Sequence, residues 1–338
     1  MSPGPPPPTD SGEDQRRDLV SVVIPTRNRW ALLARALASV LGQQGAELEV
    51  VIVDEGSTDE TPARLAALTD ERVRVLRNDS PTGVANARNR GIDAARGEWV
   101  AFLDDDDFWA PDKIRSQLDG CAAAGADYSY TGLVTTDAPL ELRRVSAPAP
   151  TEGLERALLG MNVIGAPSSV MVRRSLLERA GGFDPDFSIL ADWDLYIRLS
   201  AAGRPAACEA PLTAYLTHPT NMHLDAPAAL EEFRRLRSKH AALARSVGVK
   251  LGDDRWWGWI AGSLRRSGHR FRGATLFLWL GLRFARPHLV ARAAGILAGD
   301  RLADRARSVR PAAGAGDGGR SSEASWIDAF EGAPGQVA

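Results

Sequence analysis

Cysteine is scarce in this sequence: Cys121 and Cys208 are the two among 338 residues. Two thiols provide neither a disulfide framework nor a cysteine-rich zinc cluster, so a reducing cytoplasm is the expected compartment. The segment 1–18 is rich in proline and charge and lacks the apolar core of a signal peptide. We therefore expect this segment to be disordered.

Long apolar runs and a strong charge imbalance are also absent. No stretch of 18 or more apolar residues occurs, so no membrane-spanning helix is expected. The net charge of -2 gives no general argument for binding nucleic acid. What remains is an ordinary globular composition, 44% hydrophobic and 25% charged, with enough length for one large domain or two smaller ones.

Short apolar runs alternate with helical patterns in the first part of the chain. The runs predict strands at 20–25, 48–53, 73–76 and 99–103. Helices are predicted at 29–41, from a capping box at 57–60, and at 83–96 with Gly97 as C-cap. Apolar strands separated by helices are typical of a parallel sheet covered on both faces, so the predicted fold class is α/β.

The pattern after residue 110 is less regular but continues the alternation. Helices are predicted at 112–124, 174–180 and 191–202, strands at 128–134, 168–172 and 213–217, and a Pro-rich loop at 137–150.

Polar loops follow three of the predicted strands, at 26–28, 54–57 and 104–107. Because the carboxyl ends of parallel strands lie at one edge of a sheet, we expect these loops to converge on one pocket. The last loop holds four consecutive aspartates, whose mutual repulsion a bound cation would relieve. Mg²⁺ and Mn²⁺ prefer oxygen ligands, and Mg²⁺ is often held by one or two carboxylates plus substrate phosphates. The loop therefore predicts a metal–diphosphate site.

Six segments in chain order resemble motifs of the family 2 inverting glycosyltransferases, over a match from about residue 19 to about residue 221. They are SVVIPTRNR (21–29), VIVDEGSTD (51–59), NARNRG (86–91), GEWVAFLDDDD (97–107), GGFD (181–184) and ADWDLYIRL (191–199). The resemblance implies a GT-A fold, in which a nucleotide-binding α/β sheet flanked by helices is fused to a smaller acceptor-binding part. It places the donor half at about 19–110 and the acceptor half at about 111–223.

The resemblance implies a nucleoside-diphosphate sugar as donor and Mn²⁺ or Mg²⁺ as cofactor. Asp104, Asp105 and Asp106 match the family's aspartate-x-aspartate motif, with Asp106 as the main metal ligand and Asp104 as its companion. Asp105 is expected to face the ribose, and Asp107 to be a loop or helix-entry residue. His218 matches a histidine that some relatives place near the metal; a structural or exposed histidine is the alternative.

The same resemblance assigns donor-binding residues to the loops after the first two strands. Pro25, Thr26 and Arg27 belong to the first loop, and Asp54 and Glu55 to the second. The family usually has two aspartates where this chain has Asp54 and Glu55. Because Glu55 is one methylene longer than aspartate, the identity of the nucleobase stays open.

Arg88 is a predicted phosphate contact, since arginine offers a bidentate fork. Arg88 and Arg90 are two positions apart on a predicted helix and cannot share a face, so at most one should point inward.

The acceptor hydroxyl needs a base, and the resemblance assigns that role to Asp192. Asp192 lies in the first turn of an amphipathic helix, where helix capping is the alternative role and Asp194 is the rival base. The family commonly has glutamate before the base, but this chain has Ala191.

Helical patterns rich in arginine and aromatic residues dominate 224–310, and the tail 311–338 is expected to be mostly disordered, with a short segment near Trp326. Apolar faces with Arg and Trp are typical of helices in a membrane interface, which would suit a lipid-linked acceptor and a peripheral position at the inner face of the membrane. The alternative is a helical cap packed on the catalytic domain. No nucleic-acid motif accompanies the arginines.

Two other functions compete with glycosyl transfer. A sugar-phosphate nucleotidyltransferase would need a Gly-rich phosphate loop near the first strand. Residues 26–29 contain no glycine, which counts against this function. A nucleotide-sugar-binding module without turnover would not need the complete set of Asp104, Asp106 and Asp192. The sugar and the acceptor are not identified by the sequence.

Overall fold

The computed structural model describes residues 19–137, 140–218, 225–298, 324 and 326–327. Nine strands within these residues form one sheet in the order β3-β2-β1-β4-β8-β6-β9-β5, with β7 paired to β6. The strands are β1 (Val20–Thr26), β2 (Leu48–Asp54), β3 (Val73–Arg77), β4 (Trp99–Phe102), β5 (Phe108–Trp109), β6 (Tyr128–Asp137), β7 (Glu141–Ser146), β8 (Val170–Arg173) and β9 (Pro205–Thr217).

The sheet is mixed: the parallel arrangement predicted from the first four strands is confirmed, and antiparallel strands follow. β1 to β4 pair in parallel. β8 then lies antiparallel between β4 and β6, and β5 is antiparallel to β9. A buried strand is an apolar run whichever way it points, so the pattern does not encode direction. The parallel block still brings the carboxyl ends of β1, β2 and β4 to one edge.

Twelve helices lie within the described residues and cover both faces of the sheet. They are α1 (Trp30–Leu41), α2 (Thr61–Ala66), α3 (Val84–Ala94), α4 (Lys113–Ala124), α5 (Leu154–Gly160), α6 (Arg174–Ala180), α7 (Ala191–Ala202), α8 (Ala226–Lys239), α9 (Ala241–Ser246), α10 (Asp254–Arg266), α11 (Arg270–Arg283) and α12 (Pro287–Ala298).

The core divides into two layers because alternate residues of a strand point to opposite faces. Val22 and Ile24 of β1 pack with α1 on one side. Val23 belongs to the layer on the other side, which also holds α7 and residues of α8 and α10 such as Phe233 and Trp256. Because α8 and α10 share a core with α7, the packing is continuous across residue 223, the predicted end of the catalytic domain.

Three local predictions are wrong. The supposed loop 137–150 contains β7, a polar edge strand with no buried residue to produce an alternating pattern. Helix α2 begins at Thr61 rather than at the capping box, because the backbone N–H groups of Ser57 and Thr58 donate to the side chains of Asp54 and Asn28. Helix α3 ends at Ala94, and Gly97 lies beyond its cap.

The short segment predicted near Trp326 packs on the sheet edge. The Trp326 indole meets Phe108 edge to face at 5.8 Å, and Ile327 is buried. The rest of the tail, the predicted disordered N-terminus 1–18, and 299–310 of the predicted helical region lie outside the described residues. Among the residues that the structure describes, no helix is both long and apolar enough to cross a bilayer.

Candidate active site

A cavity of about 950 Å³ opens at the edge where β1, β2 and β4 end. Most of the predicted site residues line it: Pro25, Thr26, Arg27, Glu55, Arg88, Asp104, Asp105, Asp106 and Asp192. Asp54 is not in the wall, and His218 reaches the site through Asp106. The predicted convergence of the three loops is thus confirmed.

Asp105 and Asp106 are buried carboxylates that contact Thr26 at the end of β1 and Arg29 just before α1. Thr26 Oγ1 donates to Asp105 Oδ2 at 2.8 Å, and Arg29 Nη1 lies 3.2 Å from Asp105 and 3.1 Å from Asp106. Burial and repulsion from Asp106 raise the pKa of Asp105 to about 7. Burial and repulsion from Asp104 raise the pKa of Asp106. An additional cation at this wall would stabilise both ionised forms.

Asp104 is paired with Arg88, whose guanidinium is almost fully buried. Gly91 lets helix α3 approach β1, since a Cβ there would stand 2.3 Å from Val23 Cγ1. The carboxamide of Asn89 both donates to and accepts from the backbone of Phe183, whose ring lies 5.1 Å from the Arg88 guanidinium carbon. Gly91 of the NARNRG segment and Phe183 of the GGFD segment therefore position Arg88.

Arg90 is exposed and donates to the Arg77 carbonyl, so only one of the two helix arginines points inward, as predicted.

Asp107 lies in the loop between β4 and β5, as predicted, and its side chain is fully buried there. Ser168 Oγ donates to Asp107 Oδ2 at 2.5 Å, and the Leu216 N–H donates to Oδ1 at 3.1 Å. Burial, with repulsion from Asp106 and Asp104, raises the pKa of Asp107 well above its ordinary value. The fourth carboxylate ties the acidic loop to β9 and to the 3₁₀ turn before β8.

The metal-binding prediction rests on Asp104, Asp106 and His218. His218 Nε2 lies 2.8 Å from Asp106 Oδ2. Among the residues that the structure describes, no three acidic, histidine or cysteine side chains stand as a ready-made metal site. One or two carboxylates with a diphosphate are nevertheless enough for Mg²⁺, and carboxylate oxygens suit Mn²⁺ as well. These three side chains therefore fit a divalent cation whose remaining coordination positions are filled by the diphosphate of a nucleotide sugar.

Asp54 and Glu55 have different surroundings. Asp54 is 1% exposed, pairs with Arg77 and accepts the Ser57 N–H at 2.9 Å, so it braces the second loop behind the cavity. Glu55 lies in the wall and accepts the N–H groups of Thr82 and Gly83 at 2.6 and 2.8 Å. The structure brings Glu55, but not Asp54, to the cavity.

Asp192 lies at the start of α7, on the cavity wall. Its carboxylate accepts the Trp193 N–H at 2.7 Å and an amide hydrogen of Asn162 at 3.0 Å. Burial raises the pKa of Asp192 to about 7, although the Trp193 N–H and the charge of Arg88 lower it. A carboxylate with a pKa near neutrality is suited to exchange a proton with a substrate.

Asp194, the rival base, is fully buried away from the cavity wall. Arg198, Lys239 and His240 all contact its carboxylate, at 2.6 to 3.0 Å. Burial alone would raise its pKa, but the hydrogen bond from His240 and the charges of Arg198 and Lys239 lower it to about 2. Asp194 therefore joins α7 to the end of α8.

The Asp194→Asn substitution is expected to lower the free energy of unfolding by about 3 kcal/mol, because it removes the buried carboxylate that the partly buried Arg198 and Lys239 pair with. Since the pKa of Asp194 is depressed to about 2, the stabilisation is present above about pH 4 and is lost as the pH falls towards 2. Denaturant unfolding at neutral pH measures the difference, with the exposed Asp186→Asn as control. Unchanged stability together with lost activity would favour Asp194 as the base.

Glu232 of α8 fixes the loop that leads into α7. Its carboxylate accepts the backbone N–H groups of Ser188, Ile189 and Leu190, at 2.9 to 3.0 Å. Asp192 follows directly, so the helical region after residue 225 holds the segment that carries the candidate base.

Aromatic side chains form the wall on the Asp192 side of the cavity. Trp193 of α7 packs on Trp256 of α10 with 5.0 Å between ring centroids, and Trp256 stacks on Trp259 at 5.0 Å and 19°. All three line the cavity, together with Met161 and Leu133. The cavity therefore has a charged end at the sheet and an apolar end built by α7 and α10.

Comparison with known proteins gives the family. The model described as glycosyl transferase family 2 matches residues 21–181. The succinoglycan biosynthesis protein ExoO of Rhizobium meliloti is 34% identical over 210 residues, 59% of this chain and 60% of that protein. A PGL/p-HBAD biosynthesis glycosyltransferase of Mycobacterium bovis is 32% identical over 183 residues, 53% of this chain and 69% of that protein. The chain belongs to glycosyl transferase family 2.

The fold of this family 2 member is also found in solved structures. The mannosyltransferase PcManGT from Pyrobaculum calidifontis, in complex with GDP-Man and Mn²⁺, aligns with a TM-score of 0.50 and 21% identity, over 87% of this chain and 76% of that chain. That likeness concerns the fold alone, and it confirms the predicted GT-A class. The chain spans about 60% of the length of the ExoO relative.

Several residues that line the cavity of this family 2 chain, or that hold a segment of its wall, were not predicted from the sequence. Arg29, Asn162 and Glu232 carry the contacts described above, and Trp256 and Trp259 build the apolar wall. Arg29 is the last residue of the SVVIPTRNR segment, which also holds three predicted donor-binding residues, so its position in the sequence could have indicated a role in the site. Asn162 and Glu232 lie 30 and 40 or more positions from their partners, outside any motif.

Proposed function

We propose that the protein transfers a sugar, with inversion, from a nucleoside-diphosphate sugar to an acceptor hydroxyl, using Mn²⁺ or Mg²⁺. The observation that carries the proposal is one cavity whose wall holds both the acidic loop and Asp192, a carboxylate with its pKa raised to about 7. Family membership supports the reaction class, and the Mn²⁺ and GDP-Man of the Pyrobaculum enzyme support a metal-bound nucleotide sugar.

The donor would lie against the loops at the ends of β1, β2 and β4. Pro25, Thr26 and Arg27 offer a wall and an exposed cation, and Asp105, held by Thr26, would face the ribose. Glu55 is already bound by backbone N–H groups of its neighbouring loop, so its first role would be to shape the base pocket.

Asp106 and His218, with Asp104 beside them, would hold the cation. A divalent cation bound there supplies Lewis-acid stabilisation of the leaving diphosphate. Arg88 is buried at the same wall and shares Asp104, so its charge would also favour the diphosphate. Arg29 contacts both neighbouring carboxylates and would keep them in place.

Asp192 would act at the opposite side of the reacting carbon. Its carboxylate oxygen takes the proton of the acceptor hydroxyl as the hydroxyl oxygen bonds to the anomeric carbon and the bond from that carbon to the diphosphate oxygen breaks. Asn162 holds the carboxylate for that transfer. Single displacement inverts the anomeric configuration.

The acceptor would lie on the apolar wall of Trp193, Trp256 and Trp259. Aromatic rings bury large area and suit the apolar face of a sugar ring or of a lipid carrier. The wall therefore favours a glycosidic or lipid-linked acceptor over a small polar one.

Purified protein incubated with UDP-, GDP- and dTDP-sugars, Mn²⁺ or Mg²⁺ and an acceptor panel is expected to release the nucleoside diphosphate. Donor binding without release across the panel would instead favour a binding module. Pyrophosphate released from a nucleoside triphosphate and a sugar phosphate would favour a nucleotidyltransferase.

The rate should rise with pH through an acidic limb near pH 7, because Asp192 acts only after it loses its proton. Asn162→Ala removes a donor to the ionised carboxylate, so its limb should move to higher pH. The pH profile of kcat/KM, recorded for the wild type and for Asn162→Ala, measures the acidic limb of each protein. If Asn162→Ala lowers kcat/KM at every pH but leaves the limb at the same pH, Asp192 does not set the limb.

A further inference from the structure

Helix α11 presents an apolar stripe to solvent. Phe271, Leu278 and Leu282 are 66%, 37% and 71% exposed, and Trp279 is 51% exposed. Phe271, Leu278 and Leu282 are spaced by seven and four positions, so they lie on one face of the helix. The opposite face, with Phe277 and Leu280, is buried against α10 and α12.

Arginines border this stripe, and acidic residues are absent from the same stretch. Arg272 and Arg283 each follow a stripe residue and lie to one side of it, and both are exposed. Between residues 255 and 299 the sequence has no aspartate or glutamate, although the whole chain has a net charge of -2. The arginines of this stretch are Arg255, Arg265, Arg266, Arg270, Arg272, Arg283, Arg286 and Arg292.

The stripe is fixed relative to the cavity. Gly273 brings α11 close to α10, since a Cβ there would stand 2.6 Å from the Ala261 carbonyl oxygen. Helix α10 also carries Trp256 and Trp259 of the apolar cavity wall. One helix thus contributes to the acceptor end of the cavity and supports the exposed stripe.

We propose that the exposed face of α11, Phe271, Leu278, Trp279 and Leu282 with Arg272 and Arg283, docks on an anionic lipid bilayer. An amphipathic helix with large apolar residues on one side and arginines at its border buries its apolar face at the headgroup boundary. The arginines are attracted by anionic headgroups, and no nearby acidic residue of 255–298 opposes them. The helical cap and the membrane-interface helix, the two alternatives for residues 224–310, then belong to different helices. Helices α8 and α10 form the cap on the catalytic domain, and α11 contacts the membrane.

The test is sedimentation of the full chain with phosphatidylcholine vesicles, with and without phosphatidylglycerol. The wild type is expected to bind the anionic vesicles, to bind neutral ones weakly, and to be released by salt. Trp279→Ser and Leu282→Ser should each lower the partition coefficient about tenfold, since each removes one large apolar side chain that the bilayer would bury. Arg272→Gln with Arg283→Gln should weaken binding on anionic vesicles only.

The matched control is Val75→Ser, which changes another exposed apolar residue, 40% exposed, on edge strand β3. It should bind vesicles like the wild type. Equal binding by all variants, or binding that ignores lipid charge, would overturn the proposal. So would a dimer in sedimentation equilibrium that Trp279→Ser dissociates, because the stripe would then be covered by a second copy. Transfer to a soluble acceptor should be unchanged in these variants, so failure here is distinct from failure of the proposed activity.

Discussion

The Asp192→Asn substitution is expected to lower kcat by about 10²–10⁴-fold, the usual contribution of a positioned general base. Asparagine keeps the shape and can still accept the Trp193 N–H, so the donor site should be unaffected. The dissociation constant for the nucleotide sugar should therefore stay near the wild-type value. Transfer rates and donor binding by calorimetry measure the two effects separately.

Stability provides the control for that prediction. Because burial raises the pKa of Asp192, its ionised form is disfavoured in the folded chain, and the neutral asparagine should not lower the unfolding temperature. Asp186→Asn, an exposed change just before α7, should leave kcat unchanged. An unaffected rate in Asp192→Asn would place the base elsewhere. Loss of rate together with loss of donor binding would mean a structural role.

The Asp106→Asn substitution is expected to reduce metal-dependent transfer by at least about 100-fold, because Lewis-acid stabilisation is worth several kcal/mol and each 1.4 kcal/mol is tenfold. Wild-type protein treated with a chelator should lose activity to a similar extent and recover it when Mn²⁺ or Mg²⁺ is added. The variant should need far more metal for half-maximal rate. Titration of the rate with metal ion measures both effects.

Asp112→Asn is the matched control, since Asp112 follows the acidic loop and is exposed. It should show the wild-type metal titration. Full activity of wild-type protein in the presence of a chelator would contradict the metal assignment. Full activity of Asp106→Asn with an unchanged metal titration would move the ligand role to another carboxylate.

The position of the site followed from the sequence because the geometry of a parallel sheet is regular. Loops after β1, β2 and β4 had to meet at one edge, and they do. The acidic run and the resemblance together pointed to Asp104–Asp106 and Asp192, and all four residues lie in the cavity wall. Their roles in binding and catalysis stay predictions.

Neighbouring residues with the same chemistry were separated in the sequence only by the family resemblance, because the residue pattern alone treats them alike. Asp54 and Glu55 point to different surroundings, and so do Asp106 and Asp107. Asp192 and Asp194 are both acids in one helical turn, yet Asp194 is enclosed by cations from α7 and from the end of α8. Which acid faces a cavity depends on packing by segments far away in sequence.

The cap was the least predictable part. The aromatic and arginine content of 224–310 suited both a cap and a membrane surface, because both use apolar faces with polar edges. The buried Phe233 and Trp256 and the exposed Trp279 belong to different helices of that region. Exposure in three dimensions separates them, and composition does not.

The most direct test of the central proposal is NMR of the donor during the reaction. With a divalent cation and a matched acceptor, the anomeric signal of the nucleotide sugar should disappear as nucleoside diphosphate forms. A glycoside of opposite anomeric configuration should appear at the same rate, and with Asp192→Asn it should form at least about 100-fold more slowly. A donor signal that persists with every acceptor, or a product that retains the donor's configuration, would contradict the proposal.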